Sequence, residues 1–221
     1  AENDDRLGAV VRRATLEGAP VFEVTKLELE ALTQGAVHQG VAMEIAAYDY
    51  ADALELLDRV SATGRKPLFV ALDQVTDPHN LGAVLRSAGA FGADGVIIPQ
   101  RRSADVNATV WKVSAGAAAR VPVAKETNLV RTLEAFKARG CFVVGLDGNA
   151  SVSVDNLNLA DQPLVLVTGA EGKGLSRLVR ETCDEIASIN IRAAVESLNA
   201  AVATGIALYE VDRVRRTTQG N

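Results

Sequence analysis

Leu68-Phe69-Val70-Ala71-Leu72 is an unbroken apolar run, and the polar turn Asp73-Gln74-Val75-Thr76-Asp77-Pro78 follows it at once. Beyond the turn, Leu81, Val84, Leu85 and Ala88 recur at helical spacing as far as Phe91. Gly95-Val96-Ile97-Ile98-Pro99 is then apolar again. An apolar run without alternation is a strand covered on both faces. A strand, a helix and a second such strand within about thirty residues form the crossover unit of a parallel sheet.

The alternation continues outward. Residues 106–119 read as a helix rich in small residues, 121–123 as a brief strand, and 129–139 as an amphipathic helix stopped by Gly140. Residues 141–146 and 164–168 read as strands and 175–182 as a helix. Residues 185–191 are the last strand and 198–213 the last helix. The expected fold class is therefore α/β, a parallel sheet with helices on both faces. Upstream, residues 3–18 and Lys26–Leu32 read as helices, Val21–Val24 and Val41–Ala46 as strands, and 48–60 as an acidic helix. Ala62-Thr63-Gly64-Arg65-Lys66-Pro67 reads as a linker. We expect two domains, a small one at 1–63 and a larger one at 64–221.

Charge narrows the function classes. The chain has 221 residues and a net charge of −5, which argues against a general nucleic-acid coat. Residues 1–63 hold 5 Lys/Arg against 12 Asp/Glu, and residues 64–221 hold 18 against 16. Any contact with RNA is then a local patch, with Arg101-Arg102 and Arg213-Arg215-Arg216 as candidates against the plainer reading of solvated faces. No apolar run is long enough for a membrane span. No signal-peptide pattern opens the chain, which starts on Ala1 and not Met, as a processed chain or a fragment would. Cys141 and Cys183 have no CxxC partner and read as buried free thiols of a reducing cytoplasm.

In parallel sheets, ligands sit beyond the carboxyl ends of the strands. Three polar or Gly-rich loops leave strands there, and we expect them to converge. The first, Asp73–Gly82, leads to Arg86, whose neighbours Ser87, Ala88, Gly89 and Ala90 are small; such an arginine suits an anion, or an intradomain carboxylate. His79 in this loop reads as polar filler rather than a base. The second is Thr168-Gly169-Ala170-Glu171-Gly172-Lys173-Gly174-Leu175. Its glycines suggest backbone N–H groups facing a ligand. Its spacing fits neither a Walker A loop nor a dinucleotide fingerprint. The third runs from Ile189-Asn190-Ile191 to Glu196-Ser197-Leu198-Asn199, with Ser197 the expected helix N-cap, and leads into Ala200, Ala201, Ala203 and Gly205.

Taken together, D-P-x-N-x-G-x-x-x-R, then G-x-E-G-x-G-L, then E-S-L-N-x-x-V-A resembles the SpoU (TrmH-type) family of the SPOUT superfamily. Those proteins are S-adenosylmethionine-dependent RNA ribose 2′-O-methyltransferases. The resemblance covers about 67–215. Gly35-Ala36-Val37-His38-Gln39-Gly40-Val41-Ala42 further resembles the end of the ribosomal-protein-L30e-like RNA-binding domain of rRNA-modifying members, here as a partial domain. The resemblance implies a C-terminal trefoil knot and a homodimer packed through the last helix. It implies S-adenosylmethionine held at Thr168, Gly169, Ile189 and Leu198, and a catalytic cluster of Asn80, Arg86, Glu171, Ser197 and Asn199. In that scheme Glu171 and Asn80 orient Arg86 and the ribose, and no metal takes part. Asn190 stands where the family usually has proline. This implies a looser loop, so Asn190→Pro is expected to tighten cofactor binding.

The expected function is S-adenosylmethionine-dependent 2′-O-methylation of a ribose in RNA, with 23S rRNA as partner, in the cytoplasm. The rivals are a tRNA ribose methyltransferase, against which Val37–Gly40 argues, and a non-catalytic RNA-binding or ribosome-assembly factor. A nucleotide-binding α/β protein is disfavoured by the failed motifs.

Overall fold

The computed structural model describes residues 2–192 and 197–219. Its contacts divide the chain into two compact units, Ala1–Ala47 and Tyr48–Asn221. The first unit holds α1 (Glu2–Leu16) and α2 (Lys26–Leu32). Thr25 and Glu28 cap α2 reciprocally, each bonding the other's backbone N–H. The strands expected at Val21–Val24 and Val41–Ala46 do not form; no ladder partner pairs with either among the described residues. Phe22 and Met43 are largely exposed, and α2 buries no residue.

The second unit opens on two anchored tyrosines. Tyr48 Oη accepts the Val123 N–H at 3.1 Å and Tyr50 Oη the Val106 N–H at 3.0 Å. The chain is extended here, and Ala51 bridges to Ala124. The helix expected from Tyr48 therefore starts only at Ala53, capped by Asp52, and runs as α3 (Ala53–Ser61). α3 buries Ala53, Leu56, Leu57 and Val60 within this unit, so the division between units falls ahead of the Ala62–Pro67 linker.

Seven parallel strands follow, with their helices, in the lateral order β3-β2-β1-β6-β4-β7-β5. In chain order they are β1 (Leu68–Asp73), α4 (Pro78–Ala90), β2 (Gly95–Pro99), α5 (Ala108–Val113), β3 (Val123–Glu126), α6 (Leu129–Ala138), β4 (Phe142–Leu146), β5 (Val152–Ser153), β6 (Leu164–Gly169), α7 (Arg177–Thr182), β7 (Glu185–Ser188) and α8 (Ala200–Gln219). β1 shows why its sequence carries no alternation. Leu68, Val70 and Leu72 join a core with Leu81, Val84 and Leu85 of α4 and Leu208 and Val211 of α8. Phe69 and Ala71 point the other way, into a core with Leu57 of α3 and Leu133 and Phe136 of α6. Phe69 and Phe136 meet edge to face at 5.1 Å. Each face is dry, so each strand position must be apolar. The long helix expected over 106–119 is broken after Val113, because Ala115 and Gly116 take left-handed φ of 50° and 86°. β5 has two residues, too few to signal itself in sequence. Cys141 and Cys183 are free, and burial pushes each thiol up to about 11.

At the amino edge, Arg215 of α8 donates to four carbonyls: Ala160 (3.1 Å), Lys66 (2.9 Å), Pro67 (3.1 Å) and Gln162 (2.6 Å). Its neighbours Arg213 and Arg216 pair with Glu210 and Asp212. Arg215 is thus committed within the fold, while Arg213 and Arg216 stay exposed and pair with carboxylates of their own helix, as a solvated face would. At the carboxyl edge the backbone of Gly169 passes Gly174 so closely that a Cβ on Gly169 would lie 2.1 Å from the Gly174 carbonyl carbon.

Two predictions follow from these contacts. Arg215→Ala strands several carbonyls and should cost about 2–3 kcal/mol in denaturant unfolding, whereas Arg213→Ala should change little. Gly169→Ala should cost about 3 kcal/mol by overpacking. Gly148, whose Cβ would meet nothing within 4 Å, is the control and should tolerate alanine without loss.

Candidate active site

β1 and β6 are neighbours, and their last residues, Asp73 and Gly169, lie in register. Their loops thus leave the sheet side by side. Buried Asp73 accepts the Ser176 N–H at 2.6 Å and holds down the far end of the glycine loop. The near end closes on itself, with Gly174 N–H donating to the Ala170 carbonyl at 2.8 Å. Gly172 and Gly174 take φ of 70° and 65°, which glycine alone adopts readily. This tight turn carries Glu171. In the neighbouring loop, Asp77 caps α4 through the His79 N–H, and Pro78 sets the first turn. Asn80 follows and is 6% exposed.

α8 is capped by Asn199 and not by Ser197. Asn199 Oδ1 accepts the N–H groups of Ala201 (2.9 Å) and Val202 (3.2 Å). Ser197 is exposed and makes no hydrogen bond among the described residues. Both residue types cap helices well, and backbone geometry alone decides which one serves.

Three side chains from three loops then meet. Asn80 Nδ2 donates to Glu171 Oε1 at 3.2 Å. Asn199 Nδ2 donates to Asn80 Oδ1 at 2.9 Å and to Glu171 Oε1. The Ala200 N–H reaches the same Glu171 oxygen at 3.4 Å. Beneath them lies a buried polar chain. Thr204 gives its hydroxyl hydrogen to the Ala200 carbonyl at 2.7 Å, so the 2.7 Å contact with Thr168 is donated by Thr168. β6 with its loop and the first two turns of α8 are thereby joined twice, at Glu171 and at Thr168.

The expected convergence of the loops holds for Asn80, Glu171 and Asn199. Arg86 stands apart from them. It is exposed, and no carboxylate or amide bonds it among the described residues. It lies six residues beyond Asn80, about 600° of helical turn, and so on another face of α4. Glu171 and Asn80 therefore do not orient Arg86 by direct contact, and the alternative of an intradomain carboxylate partner does not form. His79 bonds Asp77 at 3.1 Å. Thr168 and Gly169 are buried at the end of β6, Ile189 is half-buried just past β7, and Leu198 is half-buried before α8. Asn190 is not loose: its amide donates to Ser153 Oγ of β5 at 3.0 Å. Proline there would lose a bond worth about 1 kcal/mol against an entropic gain of about 0.4–1 kcal/mol, so the expected tightening of cofactor binding loses its basis. Residues 193–196, including Glu196 of the third motif, lie outside the described residues. Sequence reading missed Asp73, Thr204 and Ser153. Thr204 is the one polar residue within Ala200–Gly205, and this is the signal that marks it.

The chain was compared with known proteins. The SpoU rRNA Methylase family model matches residues 67–209, and the model for RNA 2′-O ribose methyltransferase substrate binding matches residues 1–51. An uncharacterized tRNA/rRNA methyltransferase of Mycobacterium ulcerans is 51% identical over 217 residues, which is 98% of this chain and 69% of the relative. Among solved structures, the SpoU methyltransferase AviRb from Streptomyces viridochromogenes in complex with AdoMet superposes with a TM-score of 0.68 at 29% identity. That match covers 94% of this chain and 88% of the other. An AdoMet-bound rRNA methyltransferase from Sinorhizobium meliloti gives 0.73 at 26% identity, covering 95% and 78%. The TrmH/SpoU tRNA modifying enzyme of A. aeolicus gives 0.63 at 30%, covering 75% and 86%. A parallel sheet with three loop motifs meeting at its carboxyl edge, the family match over 67–209 and this level of identity agree, and the chain belongs to the SpoU rRNA methylase family.

Proposed function

We propose that the protein uses S-adenosylmethionine to methylate a ribose 2′-hydroxyl of RNA, with 23S rRNA as the substrate, in the cytoplasm. The convergence of Asn80, Glu171 and Asn199 carries this reading, because it ties the three motif loops into one polar site at the sheet's carboxyl edge. The 2′-O assignment draws on the match of residues 1–51 to the substrate-binding model. The choice of rRNA over tRNA draws on coverage. The Sinorhizobium meliloti rRNA methyltransferase aligns over 95% of this chain, the A. aeolicus tRNA modifying enzyme over 75%.

The cofactor's fit is supported by two half-buried apolar residues, Ile189 after β7 and Leu198 before α8, and by the buried strand-end backbone of Thr168 and Gly169. Such a set suits an adenosine, and these residues would hold it. When bound, the cofactor supplies an electrophilic methyl group. The chain's own residues do the rest by position and electrostatics. Glu171 Oε1 is occupied by three donors, which leaves Oε2 to accept the hydrogen bond of the ribose hydroxyl. Arg86, exposed and without a side-chain partner among the described residues, is available to grip a neighbouring phosphate, and its guanidinium stays charged. Ser197 is exposed and makes no hydrogen bond among the described residues, so its hydroxyl is available to the same substrate. The knot belongs to this proposal, and the tight passage of Gly169 beside Gly174 suits a threaded chain.

A homodimer is part of the same reading. α4 and α8 flank a groove of about 470 Å³ whose wall includes Phe91, Val202, Ile206 and Tyr209. Val202 and Tyr209 are half exposed there. Arg86 lies one residue from Ser87 of this groove, where it can serve a partner's site as well as its own.

Three outcomes are expected. Arg86→Ala should lower the methylation rate of rRNA by 10²–10³-fold, on the order of an oxyanion donor's loss, while calorimetry shows unchanged S-adenosylmethionine affinity. The 2′-O-methyl mark should map to 23S rRNA; a wild-type protein that binds no cofactor and leaves no mark would support the binding-factor reading instead. Ile206→Asp should convert a dimer to a monomer in light scattering, and a wild-type monomer would remove the dimer from the scheme.

A further inference from the structure

We infer that the RNA strand runs along the sheet's carboxyl edge from the β6 loop toward β3, held by a track of unpaired cations in which Arg101 and Arg102 are the central phosphate contacts. The inference rests on the proposed RNA substrate and extends it to residues outside the three motifs. Cations of the second unit sort by edge. At the amino edge, Arg65, Lys66, Lys137 and Arg139 each pair with an aspartate, and Arg215 is spent on carbonyls. Arg59 and Arg120 are the unpaired cations there among the described residues. At the carboxyl edge Lys125, Arg177 and Arg180 pair with Asp105, Glu181 and Asp147, but more cations are left over. Lys173 follows β6, Arg101 and Arg102 follow β2, and Arg131 opens α6 after β3, while Arg86 lies two turns down α4 from the same edge. All five are exposed, and none has a side-chain partner among the described residues. β6, β1, β2 and β3 are successive neighbours, so the track spans three strand spacings, about 14 Å.

The loop bearing Arg101 and Arg102 is fixed in place. Gln100 N–H donates to the Glu126 carbonyl at 2.7 Å, and Thr127 Oγ1 donates to the Gln100 side chain at 3.3 Å. Ala104 N–H donates to the Val75 carbonyl at 2.9 Å, which sets the two arginines beside the loop that leads to Asn80. Arg102 itself holds a left-handed φ of 58°, which costs a non-glycine residue free energy unless the surroundings impose it. Nearby carboxylates are engaged: Asp105 with Lys125 and Tyr50, Asp77 with His79, and Glu126 with Thr132 and the Ala53 N–H. Two exposed arginines on a rigid loop, without a counter-charge, fit a polyanion backbone that passes the methylation site.

The test uses the full chain and a labelled single-stranded RNA of mixed sequence, with affinity measured against salt. The Arg101→Ala/Arg102→Ala double variant should weaken binding and reduce the slope of log K against log salt by about 1.4, two contacts at about 0.7 each. Arg59→Ala/Arg120→Ala removes the same net charge from the opposite edge and should leave slope and affinity near wild type. Equal effects of the two double variants, or none from the first, would overturn the track. The outcome is separable from that of the proposed reaction. If wild type methylates rRNA and the first variant keeps both its slope and its KM for RNA, the track is wrong and the reaction stands. If wild type takes up no S-adenosylmethionine but the first variant still loses its slope, the track stands and the reaction is wrong.

Discussion

A single carboxylate oxygen, Glu171 Oε1, accepts from Asn80, Asn199 and the Ala200 backbone, and through it three segments far apart in the chain become one surface. Without those donors the oxygen would lose its partners, and without the oxygen two amides and a helix start would lose theirs. Such mutually satisfied polar groups are worth more together than as separate bonds. The site is preorganised in the free protein, so little ordering is left for substrate to drive.

Under this polar surface the fold relies on close backbone approach. Gly169 passes Gly174 with no room for a side chain, and Gly205 of α8 faces Ser87 of α4 with a Cβ allowance of only 3.1 Å. Gly82 approaches Val113 of α5 more tightly still. These glycines bring loops and helices near enough for the short polar side chains of Asn80 and Asn199 to meet. The Thr168–Thr204 contact then locks strand to helix where no water is available to compensate its loss.

Much of this was legible in the chain, and the illegible parts have physical causes. The run Gly95–Pro99 was read as a strand and is one, because a double-sided core demands apolar residues at each position. Asn80, Glu171 and Asn199 were found through motif resemblance, and their contacts span up to 119 residues, beyond the reach of any local pattern. The strand expected at Val41–Ala46 failed because a strand exists only with a partner, which local propensity cannot supply. Ser197 was preferred over Asn199 as cap since sequence cannot say which carbonyl begins the helix. Arg215 looked like a surface charge, and its four carbonyl partners come from two segments about 50 and 150 residues away in sequence.

Asn199 uses both ends of one amide: its oxygen ends a helix and its nitrogen enters the site. The first turn of α8 and the polar cluster therefore open together. Fraying, which most helix ends undergo at no cost to function, here dismantles the polar cluster. The slow exchange of two backbone amide protons, those of Ala201 and Val202, thus becomes a direct clock for how often the site is intact.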